Sequence, residues 1–257
     1  MKKKNSTAPD EATDTIASNA YDQAEFVANI GHDLKTYLNP IIGFTSVLLL
    51  DKAGLDSDQV HQLDLIYSSA RQLLKRIDAM VEFQRLSTGA PAGLVDWVST
   101  REVFLEVNQI FQDSAAQRGI SLVDSLETAP ARLRTNRMML NRVLNELVAN
   151  ALKFTETGTV TLTAKRGEPP EPQKVRLRFC VVDTGSGIGP KPLAILQASL
   201  EAAPDLASQS FAGLGLGLAL AREAARRLGG WLEVKSTPNQ GSTFSLIVDF
   251  FEDDLEE

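Results

Sequence analysis

The chain has 257 residues, of which 33 are acidic and 26 basic, so its formal net charge is −7. A single cysteine excludes a disulfide framework and a multi-cysteine zinc site. The acidic balance argues against a nucleic-acid binder, which would present a basic face. No apolar run approaches the roughly 20 residues that a membrane-spanning helix needs, and the basic start is not followed by a secretory apolar stretch. We therefore expect a cytoplasmic protein without membrane insertion and without a nucleic-acid partner.

The first third of the chain predicts a tail followed by a helical hairpin. Residues 1–20 are small and polar, which is typical of a flexible tail. From about 21 to 50, and again from 57 to 86, apolar residues recur every three or four positions, as on one face of an α-helix. A turn at 51–56 makes residues 21–88 an antiparallel hairpin. One hairpin cannot bury both apolar faces, so we expect a homodimer in which residues 21–88 form a four-helix bundle.

Residues 89–251 mix the two periodicities and predict an α+β domain. Helices are predicted over 100–117, 136–154, 191–200 and 215–228, and strands over 120–123, 159–164, 175–182, 231–234 and 243–248. The acidic residues 252–257 predict a solvated tail. The predicted fold class is therefore α+β, with a helical hairpin followed by an α/β sandwich.

His32, one of two histidines in the chain, is the first candidate for chemistry. It lies about 200° around the predicted helix from Ile30 and from Leu34, so its side chain should point to solvent. Asp33 is adjacent and could orient the imidazole through Nδ1, leaving Nε2 as a nucleophile. Thr36 follows one turn along the same face. A lone histidine on a helix is most often only a surface residue, and that interpretation stays open here.

Two glycine-rich segments could hold a ligand. Residues 183–189 follow an apolar strand, and residues 213–218 open a predicted helix. Glycines at alternate positions let a backbone approach a ligand closely, and the free N–H groups of a helix N-terminus suit phosphate. Neither segment is a P-loop or a dinucleotide fingerprint, and each taken alone could be only a turn.

A third candidate is the polar face of the helix predicted over 136–154. Glu146 and Asn150 are four residues apart, and Lys153 follows near the same face. An amide oxygen, a carboxylate and an ammonium group together suit Mg²⁺ and phosphates. The alternative is an ordinary solvated stripe.

In this order, the motifs resemble the transmitter core of two-component sensor histidine kinases. Residues 26–36 are similar to the phosphoacceptor box, 145–154 to the asparagine box, 183–189 and 213–218 to the two glycine boxes, and 241–244 to the closing strand. The resemblance implies that 21–88 is a dimerisation and histidine phosphoacceptor domain. It implies that 89–251 is a catalytic ATP-binding domain of the type shared with gyrase and Hsp90.

For the hairpin, the resemblance implies that His32 accepts the γ-phosphoryl group of ATP. Asp33 would act as the base, and Thr36 would position water if the protein also dephosphorylates its partner. That partner would be the receiver domain of a response regulator, which takes the phosphoryl group on an aspartate. A sensor domain or an upstream protein would supply the signal.

For the second domain, the resemblance implies a site for ATP and Mg²⁺. Asn150 would bind Mg²⁺, Lys153 would meet the phosphates, Asp183 would accept a hydrogen bond from the adenine amino group, and Thr243 would complete the adenine pocket. The remaining nucleotide-binding residues would be Glu146, Gly185, Gly187, Gly189, Gly213, Gly215 and Gly217.

The chain departs from the family at three places. Tyr37 stands where a proline is usual, and Pro40 comes three residues later. Between Lys191 and Arg222, a stretch that includes the lid over the nucleotide, there is no basic residue. Glu146 stands where asparagine is more common and resembles the water-activating glutamate of the related ATPases. Two alternatives to the kinase therefore stay open: a catalytically inactive, nucleotide-binding dimeric scaffold, and an ATPase of the gyrase or Hsp90 type.

Overall fold

The computed structural model describes residues 10–52, 54–87, 93–126, 128–169, 171–202 and 215–256, with side chains in the first helix from Val27 onward. The chain divides at residue 90 into two compact units. Within the described ranges, no helix combines the length and the apolar character needed to cross a membrane.

The first unit is the predicted hairpin of two helices, α1 (Asp10–Leu50) and α2 (Ser57–Ser87). Asp56 and Gln59 cap α2 reciprocally: the Gln59 N–H donates to Oδ1 of Asp56 at 2.8 Å, and the Asp56 N–H donates to Oε1 of Gln59 at 3.0 Å. α1 begins at Asp10, so part of the segment predicted as a flexible tail, residues 10–20, is helical. That segment is rich in alanine, a strong helix former, and a nucleated helix propagates at little cost.

The core of the hairpin is narrow. Leu38, Ala70 and Ile77 are buried in it, and Ile42 and Leu74 pack against them. A second apolar stripe on α1 is left exposed in the single chain. Its members recur at alternating spacings of four and three residues, the heptad pattern of helices that pack against a partner: Ile30, Leu34, Tyr37, Ile41, Phe44 and Leu48.

The second unit has four helices and eight strands. The helices are α3 (Thr100–Gln117), α4 (Arg137–Phe154), α5 (Pro190–Glu201) and α6 (Gly215–Arg227). The strands are β1 (Asp96–Ser99), β2 (Ile120–Ser125), β3 (Arg132–Thr135), β4 (Gly158–Arg166), β5 (Lys174–Asp183), β6 (Gly230–Thr237), β7 (Gly241–Phe251) and β8 (Leu255–Glu256).

Five of these strands form the main sheet, in the order β2-β4-β5-β7-β6, with β2 and β4 parallel and the other pairs antiparallel. Alternate residues of β5, namely Leu177, Phe179 and Val181, are fully buried in the core between sheet and helices. The α+β architecture predicted from the sequence is confirmed, including all four helices of this unit.

The three strands β1, β3 and β8 form a small second sheet that the sequence did not predict. Residues 252–256, which were predicted as part of a solvated acidic tail, form a 3₁₀ turn (Glu252–Asp254) and then β8, with Glu252, Asp253 and Glu256 exposed. Two arginines of β3 hold these acids in place: Arg132 lies 3.0 Å from Glu256, and Arg134 lies 3.7 Å from Asp254. The acidic run is therefore neutralised by the neighbouring strand.

Candidate functional site

His32 lies on α1 with its side chain 82% exposed, which confirms that it points to solvent. Its Nδ1 is 3.5 Å from Oδ1 of Asp33, close enough for electrostatic interaction and slightly long for a good hydrogen bond. One imidazole nitrogen therefore faces a carboxylate, and the other is free to meet a ligand from solvent.

The backbone around His32 is held by local contacts. The Thr36 hydroxyl donates to the His32 carbonyl oxygen at 3.1 Å, a side-chain bond of the kind that often bends helices. Lys35 Nζ lies 2.6 Å from Oδ1 of Asp78 and ties α1 to α2 one turn from the histidine. The helix continues through Pro40, which has no N–H to offer the carbonyl of Thr36.

In the second unit, α4 carries the polar face predicted from the sequence. Asn136 caps the helix by accepting a hydrogen bond from the Met139 N–H at 2.9 Å. Glu146 and Asn150 are both half-buried and lie one turn apart. Lys153 is exposed at the end of the helix, with Nζ 5.1 Å from the centre of the Phe154 ring.

Asp183 ends β5 and is only 4% exposed. Its Oδ1 accepts hydrogen bonds from the Gly185 N–H at 2.9 Å and from the Ser242 N–H at 3.2 Å. Burial raises the pKa of this carboxyl, and the two backbone N–H groups oppose that rise. Among the described residues, no hydrogen bond reaches its other oxygen, Oδ2, which is therefore an acceptor available to a ligand.

The glycines of the first loop are required by the protein's own packing. A Cβ on Gly185 would overlap the carbonyl of Phe154, and a Cβ on Gly187, which has φ +64°, would overlap the carbonyl of Thr237. Gly189 caps α5, whose first residue is Pro190. The loop at 183–189 is therefore anchored against the end of α4 and the turn after β6.

The second glycine segment is described from Gly215 onward, so Gly213 lies outside the described residues. Gly215 opens α6 with φ +70° and faces open space. A Cβ on Gly217 would overlap the carboxylate of Glu146. The structure thus brings Glu146 and Gly217 together, a contact that the sequence analysis did not predict.

Thr243, predicted to complete the adenine pocket, lies on the face of the sheet opposite to Asp183. The register pairs Asp183 with Ser242 and Val182 with Thr243. Side chains alternate along a strand, so Thr243 points away from the face that carries Asp183. Ser242, which was not among the predicted site residues, shares the face of Asp183. It is buried beside Asp183, and its hydroxyl lies 3.0 Å from that of Ser236.

Ser236, also missed, links the first glycine loop to the closing strand. Its hydroxyl donates to the Gly241 carbonyl at 2.9 Å and accepts from the Ile188 N–H at 2.8 Å. One sequence feature pointed to these two serines: Ser242 directly follows Gly241.

The site fits Mg²⁺ bound through a substrate. Among the described residues, no cluster of three or more His, Cys, Asp or Glu side chains could hold a metal ion. Mg²⁺ usually keeps several waters and takes one or two protein oxygens together with substrate phosphates. Asn150, with Glu146 one turn away, offers such a set of oxygens.

Comparison with known families agrees with this geometry. Residues 22–89 match the His Kinase A (phospho-acceptor) domain, and residues 135–252 match the histidine kinase-, DNA gyrase B- and HSP90-like ATPase family. The chain thus joins a phosphoacceptor hairpin to an ATPase-type domain. It belongs to the sensor histidine kinases and contains their transmitter core.

Curated proteins of similar sequence are named as sensor kinases. The chain is 32% identical to the sensor histidine kinase GacS of Pseudomonas protegens, over 91% of this chain and 26% of that protein. It is 28% identical to the autoinducer 2 sensor kinase/phosphatase LuxQ of Vibrio cholerae, over 87% of this chain and 26% of that protein. The crystal structure of full-length ShkA in complex with AMPPNP superposes with a TM-score of 0.64 at 27% identity, over 87% of this chain and 45% of that one. The chain spans about a quarter of the length of these curated relatives.

Proposed function

We propose that this chain uses ATP to phosphorylate His32 and then passes the phosphoryl group to an aspartate on the receiver domain of a response regulator. The observation that carries the proposal is the solvent-exposed His32 beside Asp33, in a chain that also contains an ATPase-type domain with the buried acceptor Asp183. Both reactions would take place in the cytoplasm, where ATP is supplied, and in response to a sensor domain or an upstream protein.

In the first step, Nε2 of His32 attacks the γ-phosphorus of ATP. A nitrogen–phosphorus bond forms, the bond from the γ-phosphorus to the bridging oxygen breaks, and ADP leaves with that electron pair. Asp33 stabilises the positive charge that develops on the imidazole and takes its Nδ1 proton. In the second step, a carboxylate oxygen of the receiver aspartate attacks the same phosphorus and an acyl phosphate forms. The nitrogen–phosphorus bond breaks, Nε2 of His32 keeps its electron pair, and Asp33 returns the proton to Nδ1.

The second unit would select and hold the nucleotide. Oδ2 of Asp183 would accept a hydrogen bond from the adenine amino group, while guanine would present a carbonyl oxygen to it. The first glycine loop and the start of α6 would surround the phosphates, together with Lys153. Asn150 and Glu146 would hold Mg²⁺, which neutralises phosphate charge during transfer.

The hairpin would serve as dimer interface and docking surface. The exposed heptad stripe of α1 supports a homodimer, because a second copy would cover these apolar residues. Val47 and Leu50 are exposed on the side of α1 that carries His32 and would contact the receiver domain. Thr36, one turn from His32, would position water for dephosphorylation of the regulator. LuxQ is named as both a kinase and a phosphatase.

The two histidines of the chain allow a matched test with ATP labelled at the γ-phosphate. We expect an acid-labile, base-stable label on the wild type and on His61→Gln, and none on His32→Gln. A label of this kind that survives in His32→Gln would contradict the proposal, as would a wild type that binds ATP and takes up no label.

A further inference from the structure

Arg142 and Glu146 form an ion pair on the face of α4 that lies against the start of α6. NH2 of Arg142 lies 3.1 Å from Oε1 of Glu146, and the two side chains are only 27% and 23% exposed. The pair precedes Asn150 by one turn on the same helix face. The resemblance and the family comparison assign no role to Arg142.

The other oxygen of Glu146 reaches the start of α6. A Cβ on Gly217 would overlap Oε2 of Glu146, so the absence of a side chain at 217 is what lets the carboxylate approach. One oxygen is thus held by an arginine and the other lies against the glycine segment. This places a half-buried carboxylate where the phosphates of a nucleotide are expected.

A carboxylate in that position opposes the binding of a polyanion. Two like charges repel more strongly in a half-buried site than in water, because the effective dielectric constant is lower. The Arg142 guanidinium carries one positive charge and the Glu146 carboxylate one negative charge, so the two side chains together contribute no net charge. The sequence also lacks basic residues between Lys191 and Arg222, so few other cations are at hand.

We propose that Arg142 is a positioning residue that sets the affinity for the nucleotide's polyphosphate by holding and neutralising Glu146. The inference rests on the proposed nucleotide-binding function and deepens it. The loss of ligand affinity on replacing Arg142 should therefore grow with the number of phosphates on the ligand and be absent for adenosine. A merely structural salt bridge between residues four apart on a helix would affect all ligands equally.

The test is equilibrium binding of ATP, ADP, AMP and adenosine to the whole chain in the absence of Mg²⁺, so that the metal does not offset the charge of Glu146. For Arg142→Gln we expect ATP affinity to fall by about tenfold, ADP affinity to fall less, and adenosine affinity to stay within twofold of the wild type. The loss should shrink as salt is added, because ions screen the exposed charge of Glu146. Arg142→Lys, which keeps the positive charge, should retain most of the affinity.

The double variant Arg142→Gln/Glu146→Gln isolates the cause. If Arg142 acts by neutralising Glu146, the double variant binds ATP, measured without Mg²⁺, several-fold more tightly than Arg142→Gln does. Arg137→Gln is the matched control, because it removes the same charge from the same helix where Arg137 pairs with Glu102 and Glu106 instead. It should bind all four ligands as the wild type does.

Three results would overturn the inference while leaving the proposed function intact. They are unchanged ATP affinity in Arg142→Gln, an equal loss for ATP and adenosine, and a double variant as weak as Arg142→Gln, which would mean that the arginine contacts the phosphates directly. A wild type that binds neither ATP nor adenosine would instead overturn nucleotide binding itself, and the inference with it.

Discussion

The backbone N–H of Ser242 donates to Oδ1 of Asp183 at 3.2 Å, across the pairing of β7 with β5. Together with the Gly185 N–H, this bond occupies one carboxylate oxygen, while no hydrogen bond from a described residue reaches the other. A buried acid is thereby oriented by two fixed backbone donors, one from the loop after β5 and one from the closing strand.

This arrangement predicts that Asp183→Asn weakens ATP binding without lowering the stability of the fold. Because the folded-state pKa of Asp183 is raised by burial, its stabilising contribution is present below the unfolded-state pKa and is lost as the pH rises through the folded-state pKa. At any pH above the folded-state pKa, the charged carboxylate therefore costs stability. We expect Asp183→Asn to melt at the same temperature as the wild type or higher at pH 7, and to lose at least about tenfold in ATP affinity.

Asp249→Asn is the matched control, because the pKa of Asp249 is shifted in the opposite direction. The bidentate pairing with Arg176 lowers the pKa of Asp249, so its contribution is present above the unfolded-state pKa and is lost as the pH falls through the folded-state pKa. We expect this variant to melt below the wild type at pH 7 and to bind ATP normally. Thermal melts in which Asp183→Asn is the less stable of the two at pH 7 would contradict the account.

The contact between Gly217 and Glu146 predicts a non-additive pair of substitutions. Gly217→Ala in the wild type should displace the Glu146 carboxylate and weaken its ion pair with Arg142, which offsets the gain from alanine in the helix. In a Glu146→Ala background the same substitution should become neutral or stabilising, since alanine favours a helix over glycine by about 1 kcal/mol. Denaturant unfolding of the four proteins gives the coupling energy directly. A coupling of zero would show that the two residues do not touch.

The small sheet predicts a structural role for the end of the chain. Leu255 of β8 pairs with Leu133 of β3, which is fully buried. We expect Leu255→Ser to lower the melting temperature by about 3 °C or more, and Asp253→Ser, a change in the neighbouring turn, to have little effect. Equal melting temperatures for Leu255→Ser and the wild type would mean that β8 does not stabilise the domain, as expected of a solvated tail.

The heptad stripe on α1 predicts which exposed apolar residues mediate dimerisation. Phe44 belongs to the stripe, whereas Val47 is similarly exposed and lies outside it. Phe44→Asp should shift the protein toward monomer in sedimentation equilibrium, and Val47→Asp should leave the dimer intact. On this account Tyr37 is also a dimer-interface residue. A dimer that tolerates Phe44→Asp and is broken by Val47→Asp would place the interface on the His32 side.

The sequence predicted what depends on local periodicity. The hairpin, the helices of the second unit and the exposure of His32 all follow from apolar spacing. The strands β1, β3 and β8 are short, and β3 pairs with β8 over a long separation in sequence, so no local pattern marks them. The pairing of Ser242 rather than Thr243 with Asp183 could not be predicted for the same reason, because the face that a side chain occupies depends on the register of the strand, and a shift of one residue reverses it.

The central claim is that the γ-phosphoryl group of ATP is transferred to His32. The most direct measurement is intact-mass analysis followed by peptide mapping under alkaline conditions, after the wild-type chain has been incubated with Mg²⁺ and ATP. We predict one added phosphoryl group per chain, located on the peptide that contains His32 and abolished by Asp183→Asn. A phosphoryl group located on His61 or another residue, or an unmodified chain that still consumes ATP, would contradict the claim.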